Sequence, residues 1–111
     1  KMGLNLSRGE AIKYYSSDRI TQIVGNGLVC LIDEKTSYRD FFSDTEMVFY
    51  KNENDLSEKI LKISRDEKLR KSIAKKGKNK YMKYFNSTLV AKFILEKTLG
   101  IKSKNKYFWH N

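Results

Sequence analysis

The 111-residue chain contains no proline, one cysteine, one histidine and one tryptophan. Each scarcity removes a class of chemistry. A lone Cys30 cannot close an intrachain disulfide. Its setting in Leu28-Val29-Cys30-Leu31-Ile32 reads as a small buried hydrophobe, where burial without a cationic neighbour raises the thiol pKa away from reactivity. With His110 the sole histidine, the chain holds no Ser/His/Asp set and no His/Cys metal cluster, and no metal or cofactor is expected. Glycine is also sparse, and neither a Walker loop nor a G-x-G-x-x-G fingerprint occurs. Gly25-Asn26-Gly27 precedes an apolar run instead of opening a helix, so its glycines read as turn residues. No apolar run approaches the roughly 18 to 20 residues that cross a bilayer. The expected location is cytoplasmic.

Acidic residues thin out along the chain. Residues 1–56 carry seven Lys/Arg against nine Asp/Glu, whereas residues 57–111 carry sixteen against four. The net charge of +10 therefore resides in the second half. Eighteen of the 23 basic residues are lysine, the residue of solvated helix faces, and this distribution fits such faces better than a dedicated polyanion surface.

What is present reads as a single α/β unit. Met2 to Leu6 reads as a short buried strand, followed by a turn at Ser7-Arg8-Gly9-Glu10. Ala11 to Tyr15 is ambiguous. After the hydroxyls of Ser16-Ser17, Ile20, Ile23 and Val24 fall at helical spacing and Gly25-Asn26-Gly27 stops the helix. Leu28 to Ile32 is a continuous apolar run, the pattern of a parallel strand buried on both faces. Tyr38 to Phe42 reads as one helical turn and Met47 to Tyr50 as a third strand. Helices are expected from near Asn54 and Asp66, the latter placing Gly77 on its buried stripe for a close approach or a break. Another is expected from Ser87, with Leu89, Val90, Phe93, Ile94 and Leu99 facing inward. Residues 1–100 form the expected domain and residues 101–111 a tail, disordered or folded back as a packing arm. An apolar run beginning at the second residue, in a sheet of about three strands, implies a segment of a larger protein or self-association along an exposed edge.

The best anion site in the pattern is the helix start at Ser16-Ser17. It offers hydroxyls, free amides and the positive helix end, with Arg19 in the first turn. Simple capping, with Arg19 paired to Asp18 or another carboxylate, accounts for the same residues.

The run Tyr15 to Leu31, in which an Arg opens a helix that a glycine ends before a hydrophobic strand, resembles the C-terminal segment of the glycosyl transferases group 1 family. Downstream, Phe41-Phe42, Met47 to Tyr50 and Asn54-Asp55-Leu56-Ser57-Glu58-Lys59-Ile60 continue the likeness. Arg70 to Gly77 and Tyr81 to Phe85 resemble the closing R-x-x-I-A-x-x-G…Y…F helix, so that the resemblance covers roughly residues 3 to 97. It implies a Rossmann-like partial domain, the C-terminal portion of the nucleotide-sugar-binding half of a two-domain GT-B enzyme. The short parallel sheet would be followed by C-terminal helices, and a missing N-terminal domain would hold the acceptor. It also implies that Arg19, Ser16 and Ser17 lie near the donor diphosphate. Gln22 stands where the family often has a carboxylate for the ribose hydroxyls, and Tyr14 stands at the other acidic position of the E-x7-E pattern; neither residue carries that charge. Asn5, at the end of the first strand, is a further candidate for a polar contact at the carboxyl edge of the sheet.

These readings give donor binding within a glycosyltransferase that transfers a sugar from a nucleotide diphosphate sugar, by a chain expected to be inactive in isolation. Two alternatives stand beside it: a basic nucleic-acid-binding module using Lys68, Arg70, Lys71, Lys75 and Lys78 with Tyr81, Tyr84 and Tyr107 for stacking, and a non-catalytic structural or oligomerising domain. A salt titration separates the first two readings. Binding to a polyanion is expected to collapse between low and moderate salt, and binding to a nucleotide sugar to change far less.

Overall fold

The computed structural model describes residues 1–6 and 9–110, so the turn expected at Ser7-Arg8 lies outside the described residues. Three strands, β1 (Met2–Asn5), β2 (Val29–Asp33) and β3 (Val48–Tyr50), form one sheet in the order β1-β2-β3. Both pairings are parallel, with Met2 opposite Val29, Asn5 opposite Ile32 and Leu31 opposite Val48. The helices are α1 (Arg19–Gly25), α2 (Glu53–Arg65), α3 (Glu67–Tyr84) and α4 (Ser87–Thr98). This is the α/β class and strand pattern that the sequence leads one to expect.

The continuous apolar run of β2 is explained by its position between the other two strands, with a layer on each face. Alternate side chains point to opposite sides of a strand. Cys30 and Ile32 therefore face α1, through Ile20, Ile23 and Val24, while Val29 and Leu31 face Ile63 of α2 and Ile73 and Ala74 of α3. Parallel strands need long crossovers, and the two here differ. α1 makes the first. The second has only two single 3-10 turns, Glu34–Thr36 and Tyr38–Asp40, and it covers the sheet with the buried side chains of Phe42 and Met47.

Capping fixes where the long helices begin. Asp66 Oδ1 accepts from the Leu69 amide at 2.9 Å and Asn86 Oδ1 from the Leu89 amide at 3.0 Å. The second helix starts earlier than expected because Asn52, not Asn54, supplies its cap, accepting from the Asp55 amide at 2.9 Å. Further along, α4 departs from the expected packing. Leu89 and Phe93 are half-buried, but Val90, Ile94 and Leu99 face solvent, and no α4 residue is fully buried. Residues 101–110 fold back as an arm instead of trailing away. The Tyr107 hydroxyl donates to Glu96 at 2.7 Å, and the rings of Phe108 and Trp109 stack on Tyr84 and Phe85 at 4.8 and 5.5 Å.

Gly77 is where α3 passes the loop before β3. A Cβ there would lie inside the contact distance of the Glu46 carbonyl oxygen, a backbone atom that has no rotamer by which to withdraw. Glu46 also holds α3 through its side chain, which accepts from Lys80 Nζ at 3.0 Å and from the Ser43 amide at 2.9 Å. Burial alone would raise the Glu46 carboxyl, but these partners bring it below its ordinary value.

Two measurements check this packing. Gly77→Ala gains about 1 kcal/mol of helix propensity but incurs overpacking of about 1–3 kcal/mol, so a net loss and a lower melting temperature are expected. Burial pushes the Cys30 thiol from 9.0 to about 12. Because the unfolded thiol ionises first, the contribution of Cys30 to stability is complete below pH 9.0 and is lost as pH rises toward about 12. Urea midpoints are expected to fall across that window, less steeply in Cys30→Ala, and Cys30 is expected to resist iodoacetamide until denaturant is added.

Candidate functional site

α1 begins before its first fully helical residue. Asp18 already has helical angles but makes no side-chain cap, whereas Ser17 Oγ accepts from the Arg19 amide at 3.3 Å and the Ser17 carbonyl accepts from the Ile20 amide at 3.2 Å. Ser17 therefore performs the capping. The segment leading into it is held from the second crossover. Tyr14 sits in the left-handed region at φ 60°, its amide donating to the Thr36 carbonyl at 2.8 Å and its hydroxyl to Asp40 at 2.6 Å. The ring of Tyr14 also packs against Phe41, 5.1 Å between centroids. Tyr38 donates its hydroxyl to Ser16 Oγ at 2.7 Å, and burial raises the Tyr38 pKa although this hydrogen bond works against the rise.

These contacts open a cavity of about 470 Å³ between the start of α1, the second crossover, the end of α3 and the arm. Tyr14, Ser16 and Ser17 are on its wall with Tyr38, Phe41 and Trp109, and the Thr21 hydroxyl is hydrogen-bonded to the Tyr81 hydroxyl at 2.7 Å beside them. The volume is that of a small-molecule site, and the lining combines aromatic faces with hydroxyls. Such a lining suits a ring bearing hydroxyl groups. Among the described residues no group of three or more His, Cys, Asp or Glu side chains could hold a metal ion.

The other three expected residues lie elsewhere. Arg19 and Gln22 are exposed, three residues apart and hence on one face of α1, and neither side chain has a hydrogen-bond or ion-pair partner among the described residues. The expected alternative, Arg19 paired to Asp18, is thus not the arrangement adopted. Asn5 is 2% exposed at the end of β1, and its Oδ1 has no partner among the described residues. A buried acceptor left in this state costs about 1–3 kcal/mol, which marks the position as unusual.

Sequence reasoning did not find Thr21, Tyr38, Phe41, Tyr81 and Trp109 as cavity residues. They converge from segments far apart in the chain, and the only local signal was the aromatic density of residues 107–109. The tyrosines offered for base stacking are occupied inside the fold: Tyr81 stacks on Phe85, Tyr84 on Phe108, and Tyr107 is buried. A second, basic cavity of about 400 Å³ adjoins the starts of β1 and β2, lined by Lys1, Arg70, Lys71, Lys75 and Lys78. It has no aromatic lining.

A family model described as glycosyl transferase-like matches residues 1–96, which takes in all three strands, α1 to α3 and most of α4. No curated protein and no solved structure matches the chain. A single helix or strand of this kind would be uninformative, but here one match runs through the whole parallel sheet, both crossovers and the helix start that carries Arg19. The chain belongs to the glycosyl transferase-like family.

Proposed function

We propose that the chain is the donor-binding part of a GT-B glycosyltransferase, holding a nucleotide diphosphate sugar whose sugar passes to an acceptor bound by another domain. The observation that carries this reading is the unpaired guanidinium of Arg19 beside the hydroxyls of Ser16 and Ser17, in a chain of this family. α1 is seven residues long, so its dipole adds little, and Arg19 is the principal electrostatic contact for the diphosphate. Gln22, on the same helix face, hydrogen-bonds the ribose diol as a neutral amide. Asn5 offers its buried Oδ1 to a ligand donor at the carboxyl edge of the sheet. Tyr14, bound to Asp40, shapes the cavity wall and carries no charge to the ligand. None of these groups is a general acid or base placed for transfer, so catalysis requires groups from the second domain. The setting proposed is cytoplasmic, and no metal is invoked.

Calorimetric titration of a panel of nucleotide diphosphate sugars into the protein, run beside a thermal melt, tests the assignment. Arg19→Ala is expected to weaken donor binding about ten-fold or more, the equivalent of about 1.4 kcal/mol, without lowering the melting temperature. Arg19→Lys is expected to restore part of the affinity, since a point charge lacks the bidentate fork. Unchanged affinity per folded molecule, with a lower melting temperature, would end the phosphate-binding role of Arg19.

A further inference from the structure

α4 is apolar on two sides and has a partner on only one. Leu89, Phe93 and Glu96 turn toward the body of the protein, where Phe93 meets the rings of Tyr107 and Trp109 at 5.0 and 5.9 Å. At 100° per residue the opposite arc holds Val90, Ala91, Ile94, Leu95, Thr98 and Leu99, with no charged residue among them. Val90, Ile94, Leu95 and Leu99 are 38%, 56%, 59% and 66% exposed, and Ile101 extends the patch at 55%. Large apolar side chains clustered in this way mark an interaction surface.

The charges around the patch identify what it fits. Lys92 and Lys97 border the apolar arc, and Lys102, Lys104 and Lys106 follow it; all five are exposed, and none has an ion-pair partner among the described residues. The only acidic side chain in residues 87–111 is Glu96, which is taken by Tyr107 and Asn105 on the inner side. A second copy docked on the same patch would bring this lysine set against itself, and a neutral partner would leave it uncompensated. An anionic phospholipid surface satisfies both features, accepting the apolar side chains below the headgroups while the lysines reach the phosphates. Twelve residues span about 18 Å, and no helix here is long and apolar enough to cross a membrane, so the helix would lie in the plane of the interface. We propose that α4 is an interfacial anchor that seats this chain on membranes rich in anionic phospholipid.

Co-sedimentation of the 111-residue chain with vesicles tests the proposal. Vesicles of phosphatidylcholine with about one-third phosphatidylglycerol are expected to bind it at least ten-fold more tightly than phosphatidylcholine alone, with a loss of binding at high salt. The double substitution Ile94→Ser with Leu95→Ser, at positions already facing water, is expected to reduce binding at least ten-fold and leave circular dichroism and melting unchanged. Lys92→Gln with Lys97→Gln is expected to weaken binding and flatten its salt dependence. Equal binding to both vesicle types, binding undiminished in the Ile94/Leu95 variant, or a lipid-free dimer that this variant dissociates would each overturn the proposal. The last would assign the patch to a second copy.

Discussion

Burial of β2 on both faces is the constraint on which the rest of this fold depends. Val29, Cys30, Leu31 and Ile32 are each no more than 1% exposed. A strand in that position requires a hydrogen-bonded neighbour on each side and an apolar layer above and below, and every other element supplies one of these. β1 and β3 occupy the flanks, α1 and the second crossover close one face, and α2 and α3 close the other. The helix start carrying Arg19 is positioned because Ile20, Ile23 and Val24 must cover Cys30 and Ile32. The functional face of α1 is what remains after the sheet has taken its share.

The same logic sets what could be read in advance. Strands and helices that bury one clear stripe were legible, because a period of two or of 3.6 in apolar residues reports the face directly. The second helix was misplaced by its cap because Asn52 and Asn54 are chemically equivalent, and only the fold decides which faces the free amide of Asp55. α4 misled for another reason. Its apolar residues occupy two adjacent arcs, and periodicity cannot say which of two apolar faces meets the core.

Legibility of the site divides along similar lines. Ser16, Ser17 and Tyr14 could be tied to one place because they are neighbours in sequence, and they do share a cavity. Arg19 and Gln22 are equally close in the chain, yet the turn of the helix carries them to a different face. The walls contributed by Tyr38, Tyr81 and Trp109 depend on the path of α3, and that path is set by the approach of Gly77 to the Glu46 carbonyl. A backbone contact of this kind leaves a glycine in the sequence, but the sequence does not name the atom it touches.

The arm gives the cavity an order in time. Ribosomes release the chain from residue 1 onward, so the floor from Tyr14 to Thr21 and the wall from Tyr81 to Phe85 emerge before Trp109 exists to face them. Sheet, crossovers and α3 can reach their final packing while this space is still an open trough. It becomes a walled cavity only after α4 has cleared the exit tunnel and residues 107–109 have returned across Phe85 and Phe93. A nascent chain halted within α4 would thus carry the intact helix start of α1 and lack the pocket behind it.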